Sequence, residues 1–345
     1  LEVKKIRIEM ITNILFLIGS LGILVLASQF TIRNIEKFME FSHIAETSAG
    51  FIILSIMSSF PEIMVAIFSV VEGEPGVSIG DIFGSHLFNL GFILGLLAFL
   101  GYTKGCREET LEETVDFLFL VTVIPLVILL IENNSFLVWG RQILGILLIT
   151  LYIMMFYSLS RKRQEDISNN RCDPVFFENL SNGENLNATT ILVCEDTPNP
   201  KLKRILIFKI LLGGLIVILS SRVTVNSAIG ILEILQVLPI IIGAKIVAIG
   251  TSLPELIFCY YAAKRGKIAL ALGDLFGANL TTVTIVLGIL LIVVPFAVNL
   301  YSFLEIIFFL ICINIIIWRG LSKGGISRRD GVLLLGIYLL FQIII

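Results

Sequence analysis

Charge is scarce in this chain. Only 15% of its 345 residues are Asp, Glu, Lys or Arg, and 57% are hydrophobic, whereas roughly a quarter of a soluble domain is charged. With a mean hydropathy of +0.98, that composition excludes a water-soluble globular fold. The net charge of −2 and a spread of basic residues over separate loops leave no basic face for nucleic acid. Histidine is nearly absent. The two present, His43 and His86, cannot build a histidine metal site, and His86 reads as a packed or hydrogen-bonded residue. The five cysteines, Cys106, Cys172, Cys194, Cys259 and Cys312, have no CxxC spacing, so neither a zinc site nor a disulfide framework follows. No nucleophile–base pair is recognisable, which argues against a hydrolase, and nothing calls for an organic cofactor.

Long apolar runs are what the chain has in quantity. A helix needs about 20 mostly apolar residues to cross the hydrocarbon layer. Ten such runs occur, near residues 10–30, 45–71, 76–100, 115–132, 136–158, 204–222, 238–263, 267–294, 299–318 and 329–345. Residues 11–30 lack a small-residue cleavage site and read as a span, not a removable signal. Between the fifth and sixth runs, residues 159–203 are polar and rich in asparagine, with Pro174, Pro198 and Pro200 and no lasting apolar period; this reads as a flexible surface loop.

The runs are also duplicated. Ser58-Ser59-Phe60-Pro61-Glu62 returns as Thr251-Ser252-Leu253-Pro254-Glu255, displaced by 193 residues. The same displacement carries the segment from Gly80-Asp81 to Asn89 onto that from Gly273-Asp274 to Thr282. It also superposes the first, second, third and fifth runs on the sixth, seventh, eighth and tenth. Two halves of five spans each, an odd number, must enter the bilayer in opposite senses. The expected fold is therefore an all-α membrane protein of ten transmembrane helices in two inverted five-helix repeats, 1–158 and 204–345, joined by the linker 159–203. The duplicated cores lie at about 45–100 and 238–294.

Lysine and arginine give an orientation. Loops after odd-numbered spans carry 18 of them and the opposite side 5, so the positive-inside rule makes the linker cytoplasmic and puts both termini outside a cell membrane.

Proline at 61 or 254 removes a backbone donor and opens its helix. Carbonyls at about Ser55 and Ala248 are then expected to turn inward, since irregular backbone at membrane depth is tolerated only where it lines a cavity or is buried in protein. Glu62 and Glu255 stand near mid-span, where a charge costs on the order of 3 kcal/mol and marks a transport pathway. Ser58, Ser59, Thr251 and Ser252 either join them as ligands or bond carbonyls of their own helix. Asp81, Ser85 and Asn89 fall at i, i+4 and i+8 on one helical stripe, as do Asp274, Ala278 and Thr282. Asn89 and Thr282 can face the glutamates across the repeat axis. Asp81 and Asp274, each after a glycine, suit helix capping as well as ion handling. Gly80, Gly84, Gly273 and Gly277 permit close helix contact, and Lys245 either snorkels outward or supplies a counter-charge. Carboxylates, hydroxyls and carbonyls are hard oxygen donors, which suit Ca²⁺, Na⁺ or a proton rather than a thiophilic metal.

At these residues the chain resembles the sodium/calcium exchangers of the cation/calcium antiporter superfamily, whose two inverted α-repeats carry a TSLPE-type step followed by a GS-rich helix. The resemblance implies ten helices with a cytoplasmic loop between the fifth and sixth. It makes Glu62 and Glu255 the central carboxylate ligands, with hydroxyls from Ser58, Ser59, Thr251 and Ser252 and further ligands Ser85 and Asn89. The second repeat departs from the pattern. Gly277-Ala278-Asn279 leads to Thr282 where the family commonly has GSN and then an acid, and both copies read GD in place of GN. The implied activity is Ca²⁺ export against an inward Na⁺ gradient by alternating access, with a proton-coupled Ca²⁺ or other divalent exchanger as the alternative. A channel or an intramembrane enzyme is the more distant reading, and counterflow separates both from exchange.

Overall fold

A computed structural model of the chain describes residues 2–41, 56–103, 140–168, 200–266, 268–294 and 300–344. The expected span near 115–132, the start of the second span including Ser55, His43, Cys106, Cys172, Cys194 and linker residues 169–199 lie outside the described residues. Among the described residues the secondary structure is helical. The elements are α1 (Glu2–Phe41), α2 (Phe60–Val71), α3 (Pro75–Leu87), α4 (Leu94–Leu100), α5 (Gly140–Ser168), α6 (Pro200–Leu235), α7 (Pro239–Ile242), α8 (Ala248–Thr251), α9 (Leu253–Lys264), α10 (Ile268–Thr281), α11 (Leu287–Val293), α12 (Leu300–Ser322) and α13 (Arg328–Ile344). Wider π-helical turns at Phe88–Ile93, Gly243–Val247 and Thr282–Val286 join α3 to α4, α7 to α8 and α10 to α11 without ending the helix.

Five of these stretches are long and apolar enough to cross a membrane, and Pro239–Lys264, bent by 42° at its break, makes a sixth. Their burial sorts them into two layers. The span Pro75–Leu100 is 83% buried and Leu270–Val293 78%, whereas Lys4–Ile35 and Lys203–Leu235 are each 28% buried. The first pair is the core of the molecule; the second presents apolar side chains to lipid.

The outer pair, α1 and α6, has 40 and 36 residues, or roughly 60 and 54 Å at 1.5 Å per residue, well beyond the thickness of the hydrocarbon. They pack along each other, and the contact displays the duplication. Thr224 Oγ1 donates to Ser20 Oγ at 2.9 Å, while Gly213 lies so close to Thr31 that a side chain there would collide with the Thr31 hydroxyl. These are the same pair of positions shifted by 193 residues and exchanged between halves.

In the core, α3 meets the π-turn before α8 backbone to backbone. A Cβ on Gly80 would strike the Ile240 carbonyl, one on Gly84 the Ala244 carbonyl, and one on Gly243 the Val77 carbonyl. Small residues at these places let the two broken or bulged helices approach without intervening side chains. That approach positions the buried polar groups considered next.

Candidate functional site

Both proline–glutamate steps interrupt their helices at the preceding serine. Ser59 (φ −81°, ψ 7°) and Ser252 (φ −92°, ψ 5°) have left helical geometry, and each starts a new helix by accepting a backbone bond: Ile63 N to Ser59 O at 3.1 Å and Leu256 N to Ser252 O at 3.2 Å. Pro61 and Pro254 then occupy the first turn, where a missing N–H costs least. The prolines withhold their donors from the carbonyls four residues earlier, those of Met57 and Gly250. This corrects the expectation for Ala248, whose carbonyl is engaged by Ser252 N and Thr251 Oγ1, both at 3.2 Å. Ser55, its counterpart, lies outside the described residues.

Glu62 and Glu255 follow the breaks and are buried, with 2% and 1% of their surface exposed. Among the described residues, neither carboxylate oxygen of Glu255 has a hydrogen-bond partner, nor has Oε2 of Glu62. Glu255 and Asp81 act electrostatically on Glu62, and Asp274 and Asp81 act on Glu255, so four carboxylates from both halves share one neighbourhood. The Ser252 hydroxyl lies against Glu62 across the repeat boundary. A group of buried acids with unpartnered oxygens is costly unless a cation or protons offset it.

The hydroxyls divide. Thr251 Oγ1 donates to Asp81 Oδ1 at 2.9 Å as well as to the Ala248 carbonyl. Ser59 Oγ crosses to the Ala278 carbonyl at 3.3 Å, a bond that bridges the repeats. Ser85 and Thr282 do bond their own helices: Ser85 Oγ to Ile82 O at 2.9 Å, and Thr282 Oγ1 to Ala278 O at 3.2 Å and Asn279 O at 3.0 Å. Ser58 is buried beside the break.

Capping does not account for the two aspartates. α3 begins at Pro75 and α10 at Ile268, which puts Asp81 and Asp274 in helix interiors, both buried. Lys245 is half-buried, and its Nζ donates at 2.9 Å to the carbonyl of Gln342 in the last turn of α13, a favourable place for a cation. His86 is buried, and neither ring nitrogen has a hydrogen-bond partner among the described residues. Cys259 is buried as a free thiol whose Sγ donates to Ala271 O at 3.3 Å.

Two features were not anticipated. Asn89 Nδ2 donates to Asn279 Oδ1 at 3.1 Å, joining the two repeats. The π-turns start at Phe88 and Thr282, so Asn89 and Thr282 both lie within one. The turn carrying Asn89 packs on α9, the helix of Glu255, and the turn carrying Thr282 packs on α2, the helix of Glu62. Inserted π-turns commonly occur at functional sites. Among the described residues no three His, Cys, Asp or Glu side chains are grouped tightly enough to hold an ion by themselves; a cation here must draw on neutral oxygens too.

The sodium/calcium exchanger protein model matches residues 12–160 and 205–345. The chain belongs to the sodium/calcium exchanger family. It is 26% identical over 354 residues to the sodium/calcium exchanger MaX1 of Methanosarcina acetivorans, an alignment covering 96% of this chain and 98% of that one. To the inner membrane protein YrbG of Escherichia coli it is 24% identical, covering 83% and 82%. Among solved structures it is similar to the sodium-calcium exchanger NCX_Mj soaked with 10 mM Na⁺ and zero Ca²⁺, with a TM-score of 0.59, 22% identity and coverage of 96% and 98%. The fold is thus that of a ten-helix, inverted-repeat, multi-pass membrane protein, and the chain is a transporter of the cation/calcium exchanger family rather than an enzyme.

Proposed function

We propose that the chain exchanges Ca²⁺ for Na⁺ by alternating access around one midplane site. The observation that carries this is the pair of buried glutamates at duplicated helix breaks, with three carboxylate oxygens that have no hydrogen-bond partner among the described residues. Two ionised glutamates balance one Ca²⁺, and the ion's remaining shell, about 6–8 oxygens in all, is drawn from Ser58, Ser59, Thr251, Ser252, Ser85, Asn89, Thr282 and backbone carbonyls, with Asp81 and Asp274 behind. Na⁺ competes for the same oxygens, so Ca²⁺ and Na⁺ cross on alternate strokes, and a gradient of one drives the other. The site draws on both repeats, and the basic-residue count supports a cytoplasmic position for the linker 159–203 that joins them.

Proton coupling is the second reading, and a specific observation favours it. Ala278 and Thr282 supply one hydroxyl and one carboxylate fewer than the exchanger pattern, which thins the shell for several Na⁺ ions, while Asp81 and Asp274 add acids that protons can occupy. ⁴⁵Ca²⁺ uptake into proteoliposomes, first under an outward Na⁺ gradient and then under a pH gradient, decides between them. Uptake driven by neither gradient overturns both.

Thr282→Asp restores the acid at that position. It is expected to make Ca²⁺ flux more steeply dependent on Na⁺ than Ala278→Ser does, because serine adds only a neutral oxygen. Initial flux measured against Na⁺ concentration in the three proteins checks this; coincident curves for wild type and Thr282→Asp place residue 282 off the ion path.

A further inference from the structure

We infer that Asn279, which sequence comparison between the repeats gives no reason to single out, is a positioning residue that aims the carbonyl oxygen of Asn89 at the transported cation. The inference rests on the cation-site reading above and deepens it.

Four observations converge. Asn89 and Asn279 are buried, at 3% and 0% exposure, and their amides are joined by one bond, Asn89 Nδ2 to Asn279 Oδ1 at 3.1 Å. That bond uses one N–H of Asn89 and leaves its Oδ1 without a partner among the described residues, in a π-turn packed on the Glu255 helix. An amide without such an anchor can rotate to present either its oxygen or its NH₂. Fixing the NH₂ fixes the oxygen. The atom left over on Asn279 is Nδ2, a donor that a cation repels, whereas the atom left over on Asn89 is an oxygen. Finally, Ser59 bonds the carbonyl of Ala278, the residue before Asn279, which ties this part of α10 to the helix break ahead of Glu62.

The duplicate positions show what happens without the anchor. A shift of 193 residues turns Asn89 into Thr282 and Asn279 into His86. Thr282 spends its hydroxyl on Ala278 and Asn279 carbonyls of its own helix, and the His86 ring has no hydrogen-bond partner among the described residues. The two halves therefore contribute unequally: the first presents an oriented amide oxygen, the second none.

The test is equilibrium ⁴⁵Ca²⁺ binding to the purified full chain in detergent, with Na⁺ as competitor, for wild type, Asn279→Ala, Asn279→Asp, Asn89→Ala and the double alanine variant. Asn279→Ala is expected to weaken Ca²⁺ binding about tenfold, the worth of one hydrogen bond in a desolvated site. Asn279→Asp keeps an accepting oxygen and is expected to retain binding, which also guards against a folding defect at this position. In the Asn89→Ala background, Asn279→Ala is expected to cost nothing more, because its effect passes through Asn89. An undiminished affinity in Asn279→Ala, a loss in Asn279→Asp equal to that in alanine, or additive losses in the double variant overturns the positioning role alone. Wild-type protein that binds neither Ca²⁺ nor Na⁺ overturns the cation-site reading and this inference with it.

Discussion

Glu62→Gln and Glu255→Gln are each expected to abolish Ca²⁺ exchange while the protein inserts and folds normally. Each glutamate supplies half of the negative charge opposite a dehydrated divalent ion, and the amide keeps shape and packing while removing that charge. Taking one partner from a buried ionic contact costs about 3–5 kcal/mol, so transport falls by about two to four orders of magnitude. The apoprotein gains from the same change, because a buried carboxylate with no hydrogen-bond partner on one or both oxygens is replaced by a neutral group. Thermal unfolding without Ca²⁺ should therefore occur at an equal or higher temperature than in wild type, and added Ca²⁺ should no longer raise it. Near wild-type flux in either variant removes that glutamate from the ion site.

The repeat, the described spans and the two helix breaks were legible because each leaves a residue-type signature: apolar length, a fixed offset, a proline. The approach of α3 to the π-turn before α8 was legible in outline from Gly80 and Gly84. The glycine before Asp81 suggested a cap, yet α3 starts at Pro75; a helix interior packed against another backbone tolerates glycine, and the cue misleads there. The π-turns left no signature, since a single widened turn is imposed by packing and not by the residues in it. The Asn89–Asn279 bond was hidden for a geometric reason. Matching positions by offset pairs Asn89 with Thr282, whereas the repeat axis brings Asn89 against the counterpart of His86. Cross-repeat contacts such as Ser59 with Ala278 and Thr251 with Asp81 depend on how the halves dock, which no local pattern encodes.

Gly243→Ala is expected to lower both stability and transport through that docking. A Cβ at Gly243 would overlap the Val77 carbonyl and lie 2.9 Å from Asp81 N and 3.0 Å from Gly80 Cα. All three are backbone atoms of one helix, so no side chain can swing aside and α3 must move as a body. Overpacking of this kind costs about 1–3 kcal/mol. The displacement also falls on the residue that the site uses: Asp81 accepts from Thr251 at 2.9 Å, and separating the helices stretches that bond next to the break ahead of Glu255. Gly19→Ala is the control, since a Cβ there meets nothing within 4 Å, and it should change neither property. The comparison is made by thermal unfolding in detergent and by ⁴⁵Ca²⁺ uptake in proteoliposomes of equal protein content. Lowered unfolding temperature and lost uptake in Gly243→Ala, with Gly19→Ala unaffected, tie the backbone contact between the repeats to the geometry of the ion site. Wild-type values in Gly243→Ala would mean that the carboxylates are held by something other than the close approach of α3 to the Gly243–Val247 turn.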